Sequence, residues 1–293
     1  MQTLLKYLSA GALSIVSLGA IANAPVSAAS LTGATIGGSA SSDYYVYDFS
    51  GSNTVKIDSN ESNVQKVLDG NAASPTGNVE LRASTEKPEF DATAFTKNTT
   101  LSGAIGGKSI TLSSLTASDW ATANYNGSGK TFGEYWFHDA FTTNVSKLSD
   151  PLKTNLLSQE AILFDSFKLF KGYQRFSDPN ISYVNQNDQT GLISIGLAGH
   201  YDAASLLGLP SGANIQASEV VKYSYDGGSQ TGYLYSFNAT RSNLVEKVDG
   251  VSHSGNYEVT LRPVPVPAAF VGIAIAGAIG AAKLKRSKVT IKA

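Results

Sequence analysis

The sequence predicts an α+β domain in which antiparallel strand pieces at both ends pack on central helices. Short aromatic and β-branched stretches between turn residues fill the first and last thirds of the chain. A broad apolar helical face runs through 151–171. Between them, from about Asp119, the texture changes to a helix-compatible region with Trp120, Tyr135, Trp136, Phe137 and Phe141.

Taken in order, residues 29–42 are mostly Ser, Gly, Ala and Thr and read as a flexible leader. Asp43–Phe49 is a strand, and Thr54–Ile57 follows it across the turn Gly51-Ser52-Asn53 as a hairpin. Val64–Ala73 fits helix or strand. Asn78–Arg82, Thr100–Ile105 and Lys108–Leu115 are further short strands. The clearest helix comes next. Asp150 is placed to cap it and Pro151 takes the first turn, where its missing N–H costs nothing. Leu152, Leu156, Leu163, Phe164, Phe167 and Phe170 form its apolar face, Lys168 and Lys171 suit its C-terminal dipole, and Gly172 follows as the stop. Unbroken, this core helix would be about 31 Å long. Ile181–Val184 and Gly191–Leu197 resume as strands, and Ala203–Leu207 reads as a short helix. Glu219–Tyr225, the turn Asp226-Gly227-Gly228, Gly232–Phe237 and Asn256–Leu261 complete an antiparallel end.

The two ends of the chain read as addresses. Residues 1–28 have the pattern of a signal peptide: Lys6, an apolar stretch from about Leu8 to Ala22, then small residues. Ala22-Asn23-Ala24 fits a cleavage site but leaves Pro25 behind the cut, so cleavage is expected between Ala28 and Ala29. The exported domain is then 43–262. Residues 263–267 are a proline spacer, 268–282 an uninterrupted small and apolar run, and 283–293 a basic tail expected on the cytoplasmic side. The prolines favour an extended polyproline segment. The apolar run of 15 residues spans about 23 Å as a helix, short of the roughly 30 Å hydrocarbon core.

Of 22 basic residues, six lie in these two ends, which carry no acid, so the body holds 16 against 23 acidic ones, a net charge of −7. That balance lacks the basic footprint of a nucleic-acid binder. Cysteine is absent and Met1 is the only methionine. Thiolate metal sites, cysteine nucleophiles and iron–sulfur clusters are therefore excluded.

The Pro-x-Pro element, short hydrophobic segment and terminal basic cluster resemble the PEP-CTERM sorting signal, including its VPxPA-type variants. An exosortase recognises and cuts that signal in bacteria that make exopolysaccharide. The resemblance implies that Pro265, Val266 and Pro267 form the recognition element and that an exosortase-type enzyme is the processing partner. The membrane would then hold the chain only until processing. Val266 stands where the commonest form has Glu, and Val289–Ala293 trail the basic cluster. An ordinary short C-terminal anchor is the alternative. Phe176–Tyr183, Gly196–His200 and His253–Leu261 are also similar to segments of an uncharacterised PEP-CTERM group, a likeness that carries no known catalytic residue.

No motif specifies a reaction. Asn126–Thr131 and Gly103–Ser109 imitate phosphate loops but lack the required glycine spacing. His138 with Asp139, and His200 with Asp202, offer imidazole and carboxylate to a metal, without the i, i+4 spacing that aligns two ligands on a helix. Asp178, Asn180, Asn185, Asn187 and Asp188 crowd a turn-rich stretch with oxygen donors suited to calcium, without the EF-hand order. Glu134, Asp139, Glu160 and Asp165 are unpaired candidate carboxylates. Tyr44, Tyr45, Tyr223 and Tyr225 offer rings for stacking on sugars, or pair within strands. The expected function is an exported, C-terminally sorted surface or extracellular-matrix protein. It is expected to be non-enzymatic, without a cofactor, and associated with exopolysaccharide. The alternative is an exported hydrolase or metal-dependent enzyme with a dispersed site.

Overall fold

The computed structural model describes residues 28–82, 94–204, 214–242 and 244–264. Two antiparallel sheets and six α-helices among the described residues make the α+β architecture that the sequence predicts. The larger sheet has the order β12 (Thr240–Arg241), β13 (Gly255–Leu261), β9 (Ile193–Gly199), β8 (Asn180–Asn187), β5 (Gly77–Leu81), β3 (Tyr44–Ser50), β4 (Asn53–Ile57), with β1 (Ala28–Ser30) also on β8. The smaller has the order β11 (Gln230–Leu234), β10 (Val221–Tyr225), β7 (Lys108–Ser113), β6 (Thr100–Ile105), β2 (Thr32–Gly37).

Alternation decides which face of each strand meets the core. In β13, Tyr257, Val259 and Leu261 are buried and Glu258 is exposed; in β10, Val221, Tyr223 and Tyr225 are buried and Lys222 is exposed. Val46, Val79, Leu81, Leu101, Leu112, Ile181 and Ile195 from both sheets share one core with Val64, Val67 and Leu68 of α1 (Glu61–Leu68). The ambiguous stretch after residue 63 is therefore helical as far as Leu68. Asn60 caps the helix by accepting from the Asn63 N–H at 2.9 Å.

The expected flexible leader is ordered. Leu31 and Ala34 are buried, and the Leu31 N–H donates to the Val184 carbonyl at 3.0 Å. Small residues around them let the chain cross from β8 of the larger sheet to β6 of the smaller. The composition of 29–42 hid two apolar anchors.

The expected single helix over 151–171 is three. They are α4 (Asp150–Leu157), α5 (Glu160–Leu169) and α6 (Gly172–Arg175), and Ser149 rather than Asp150 is the N-cap of α4. Side chains compete with the helical ladder at the first break: Ser158 Oγ donates to the Asn155 carbonyl at 2.7 Å, and Gln159 Nε2 to Asn155 Oδ1 at 2.6 Å. At the second break Lys171, not Gly172, takes the left-handed conformation, with φ +60°. Gly172 serves close packing instead, since a Cβ there would lie 2.1 Å from the Phe167 ring. No residue of α4 or α5 is fully buried, so this segment is a cover and not the core helix.

That role belongs to α3 (Phe132–Val145), which follows the short α2 (Ala117–Trp120). Phe132 and Trp136 join Phe95, Leu115, Trp120, Val220 and Phe237 in a second, largely aromatic core. β11 serves both cores: Leu234 packs on the sheet core and its neighbour Tyr233 on the aromatic one.

The compact unit ends at Arg262. The expected signal segment before Ala28, most of the short helix over 203–207, and Pro265, Val266, Pro267 with the tail behind them lie outside the described residues. No helix of the described residues is long and apolar enough to cross a membrane.

Candidate functional site

α3 is fixed first at its N-terminus. The Thr131 N–H donates to Glu134 Oε2 at 2.7 Å while the Glu134 N–H returns to Thr131 Oγ1 at 3.3 Å. These backbone and hydroxyl bonds hold the Glu134 carboxyl below its usual range. Glu134, a candidate acid in the sequence, is thus a capping residue.

From that start α3 distributes its aromatic residues to two sides. Trp136 turns inward, its ring centroid 5.5 Å from Trp120 and 4.7 Å from Phe176. Phe137 meets the cover, 4.9 Å from Phe164 and 5.2 Å from Phe167. Near the end of α3, Asn144 is buried and clamps the segment after residue 214. Its Nδ2 donates to the Gln216 carbonyl at 2.9 Å and its Oδ1 accepts the Gln216 N–H at 2.9 Å. His138 Nδ1 lies 2.6 Å from Glu160 Oε1, strapping α3 to α5.

Between α3, the cover helices and Ile215–Ala217 lies a cavity of about 570 Å³. Its walls are chiefly aromatic and aliphatic: Trp136, Phe141, Leu156, Leu163, Phe167 and Phe176 among them. Three polar side chains of the wall matter, Asn144, Ser166 and Arg175. Asn144 is committed to Gln216, and Ser166 Oγ donates to the Ile162 carbonyl at 2.9 Å. Trp136 is buried, and its indole N–H has no hydrogen-bond partner among the described residues.

The sequence candidates are dispersed. Asp139 accepts from the Tyr235 hydroxyl at 3.4 Å, and burial raises its carboxyl above the usual value. Asp165 is exposed and pairs with Lys168 at 2.9 Å. Asp202 Oδ1 accepts from the Ala204 and Ile215 N–H groups at 3.0 and 3.2 Å, holding a turn. His200 follows β9; burial lowers its imidazole pKa against the opposing pull of Asp249. The proposed calcium donors do not converge: Asp178 precedes β8 while Asn187 ends it and Asp188 follows. A strand of 8 residues keeps them about 24 Å apart. Asn187 Oδ1 instead accepts the Gln189 and Thr190 N–H groups at 3.0 and 2.9 Å in the turn to β9. Among the described residues no group of three or more His, Asp or Glu side chains is placed to hold a metal ion.

The four tyrosines do not form an open stacking face. Tyr223 and Tyr225 are buried in the sheet core, and the Tyr45 ring is covered by Lys56 Nζ at 2.9 Å and the Arg82 guanidinium at 4.2 Å. Sequence reasoning missed both the cavity and Asp119. Asp119 is 7% exposed and accepts from Lys222 Nζ at 2.7 Å, the Thr116 N–H at 2.9 Å and the Tyr233 hydroxyl at 3.1 Å. Burial pushes its carboxyl up, but the bonds from Lys222 and Thr116 outweigh it and hold the group below its usual range. The signal for the cavity was present as aromatic density: α5 carries Ile162, Leu163, Phe164, Phe167 and Leu169, too many for one buried face.

No protein-family description, curated protein or solved structure matches the chain.

Proposed function

We propose that this is an exported, C-terminally sorted surface protein that works by binding, its ligand an apolar or amphipathic small molecule held beneath α4 and α5. The observation that carries the reading is the cavity of about 570 Å³, within the roughly 300–1,000 Å³ of small-molecule sites and walled as they are. The cover suits such a site. α4 and α5 bury no residue completely, so ligand entry needs only local opening, not exposure of a core. The tail supplies the setting: exosortase-type processing and association with exopolysaccharide are part of this proposal and rest on the sequence of 263–293.

The test uses N-phenyl-1-naphthylamine, a neutral apolar fluorophore. Saturable one-to-one binding is expected, and replacing the cavity-lining Ala140 by Phe should weaken it about tenfold or more by occupying the space. Circular dichroism checks that the variant is folded. A probe that does not saturate, or that binds a folded Ala140→Phe variant as it binds the wild type, overturns the reading.

A further inference from the structure

Among the described residues, Arg175 is the one charged side chain in the wall of the cavity. Arg175, the last residue of α6, reaches its wall from an exposed position. No carboxylate pairs with the Arg175 guanidinium among the described residues. Arg175 therefore differs from the other two polar groups of this wall. Asn144 has spent an amide hydrogen and its oxygen on Gln216, and Ser166 has spent its proton on Ile162. A guanidinium offers five donors in a planar fork that fits carboxylate or phosphate oxygens two at a time. Phe170 also lines the cavity and is 71% exposed.

A chiefly apolar chamber with an unpaired cation in its wall selects a ligand of matching polarity. We propose that the site takes a single-chain anionic amphiphile, with the hydrocarbon chain among Trp136, Phe141, Leu163 and Phe167 and the acidic head on Arg175. The inference rests on the binding function proposed above and adds the head group. An uncharged chain fills the chamber but leaves the guanidinium to water. A small anion meets the guanidinium but leaves the chamber empty.

The chain's two tryptophans, Trp120 and Trp136, both sit in the aromatic core, and Trp136 lines the cavity, so their emission reports occupancy. Full-length protein is titrated with palmitate, with 1-hexadecanol and with inorganic phosphate. Palmitate should give saturable one-to-one quenching. Hexadecanol should bind about tenfold more weakly or worse, the usual worth of a hydrogen-bonded charge. Phosphate alone should change nothing. Arg175→Gln should lower palmitate to the level of hexadecanol and leave hexadecanol unchanged, while Arg175→Lys keeps part of the difference. Equal affinity for the two chains, or an Arg175→Gln protein that binds palmitate like the wild type, overturns the head-group assignment and leaves an apolar cavity standing. Saturable phosphate binding that Arg175→Gln abolishes also overturns it, in favour of a plain anion site. Failure of both chains to bind overturns the cavity reading along with it.

Discussion

His253 is buried against Thr54 and Tyr47. Its Nδ1 lies 3.0 Å from Thr54 Oγ1, and its ring centroid lies 4.8 Å from that of Tyr47 in an edge-on contact. Thr54 Oγ1 is also 3.0 Å from the Leu244 carbonyl. The hydroxyl has one proton, so when it donates to Leu244 the imidazole must carry its own proton on Nδ1. Burial pushes the imidazole pKa down to about 4, with Asp249 opposing and His200 assisting. In the unfolded chain the same group takes up a proton near 6.5. Between these values the unfolded state binds more protons, so stability rises with pH there. The contribution is complete above about pH 6.5, is lost as pH falls toward 4, and is flat below. Its size is on the order of 3 kcal/mol. Urea titrations from about pH 7 to pH 4 should show that loss, and His253→Asn should remove most of it. Asparagine tolerates the φ of +61° at this position and keeps an amide near Nδ1. A residual slope from His200, lowered by burial in the same direction, is expected. An unchanged slope in His253→Asn would place the titration elsewhere.

Among the elements, α3 and α5 exchange the roles that the sequence suggests. The apolar spacing of 151–171 continues through Ser158 and Gln159, so periodicity alone cannot reveal the break. The break comes from Asn155, whose carbonyl and side chain draw Ser158 and Gln159 into local bonds. Phe132 of α3 is fully buried, with its ring stacked 4.1 Å from Tyr233, whereas Leu169 of α5 is 77% exposed. Phe132→Ala should therefore cost about 3–5 kcal/mol, and Leu169→Ala should stay within about 0.5 kcal/mol, both read from urea midpoints at constant slope. Comparable losses would restore α5 to the core. The strands were far more legible, because alternation is a local property: Tyr257, Glu258 and Val259 announce their faces without any knowledge of a partner. The candidate site was not local. The cavity exists because Ile215 and Ala217 close against α3, some seventy residues away, through Asn144 and Gln216. The sequence pairs His138 with Asp139 by adjacency, while the fold pairs it with Glu160.

On the scale of the whole molecule, the folded unit and the expected addresses meet at two strands. β1 begins at Ala28, whose register partner is Asn187, so cleavage before Ala29 removes one pair and keeps Ala29 with Gln186 and Ser30 with Asn185. At the other end β13 finishes at Leu261, and Pro263 opens the spacer two residues later. By sequence alone, prolines alternating with valine favour an extended polyproline segment. The apolar run behind it is rich in Ala and Gly and shorter than the roughly 20 residues that a spanning helix typically needs. If the tail is a sorting signal, the mature surface form should start at Ala29 and lack everything after about Pro267. Replacing Pro265 and Pro267 by Ala should let helix grow back through the motif, because Ala is the best helix former. That variant should accumulate as a longer, membrane-bound species. Intact mass of surface-extracted protein reads both ends at once. A wild-type surface form that retains Lys283–Ala293 would refute sorting and leave a plain membrane anchor.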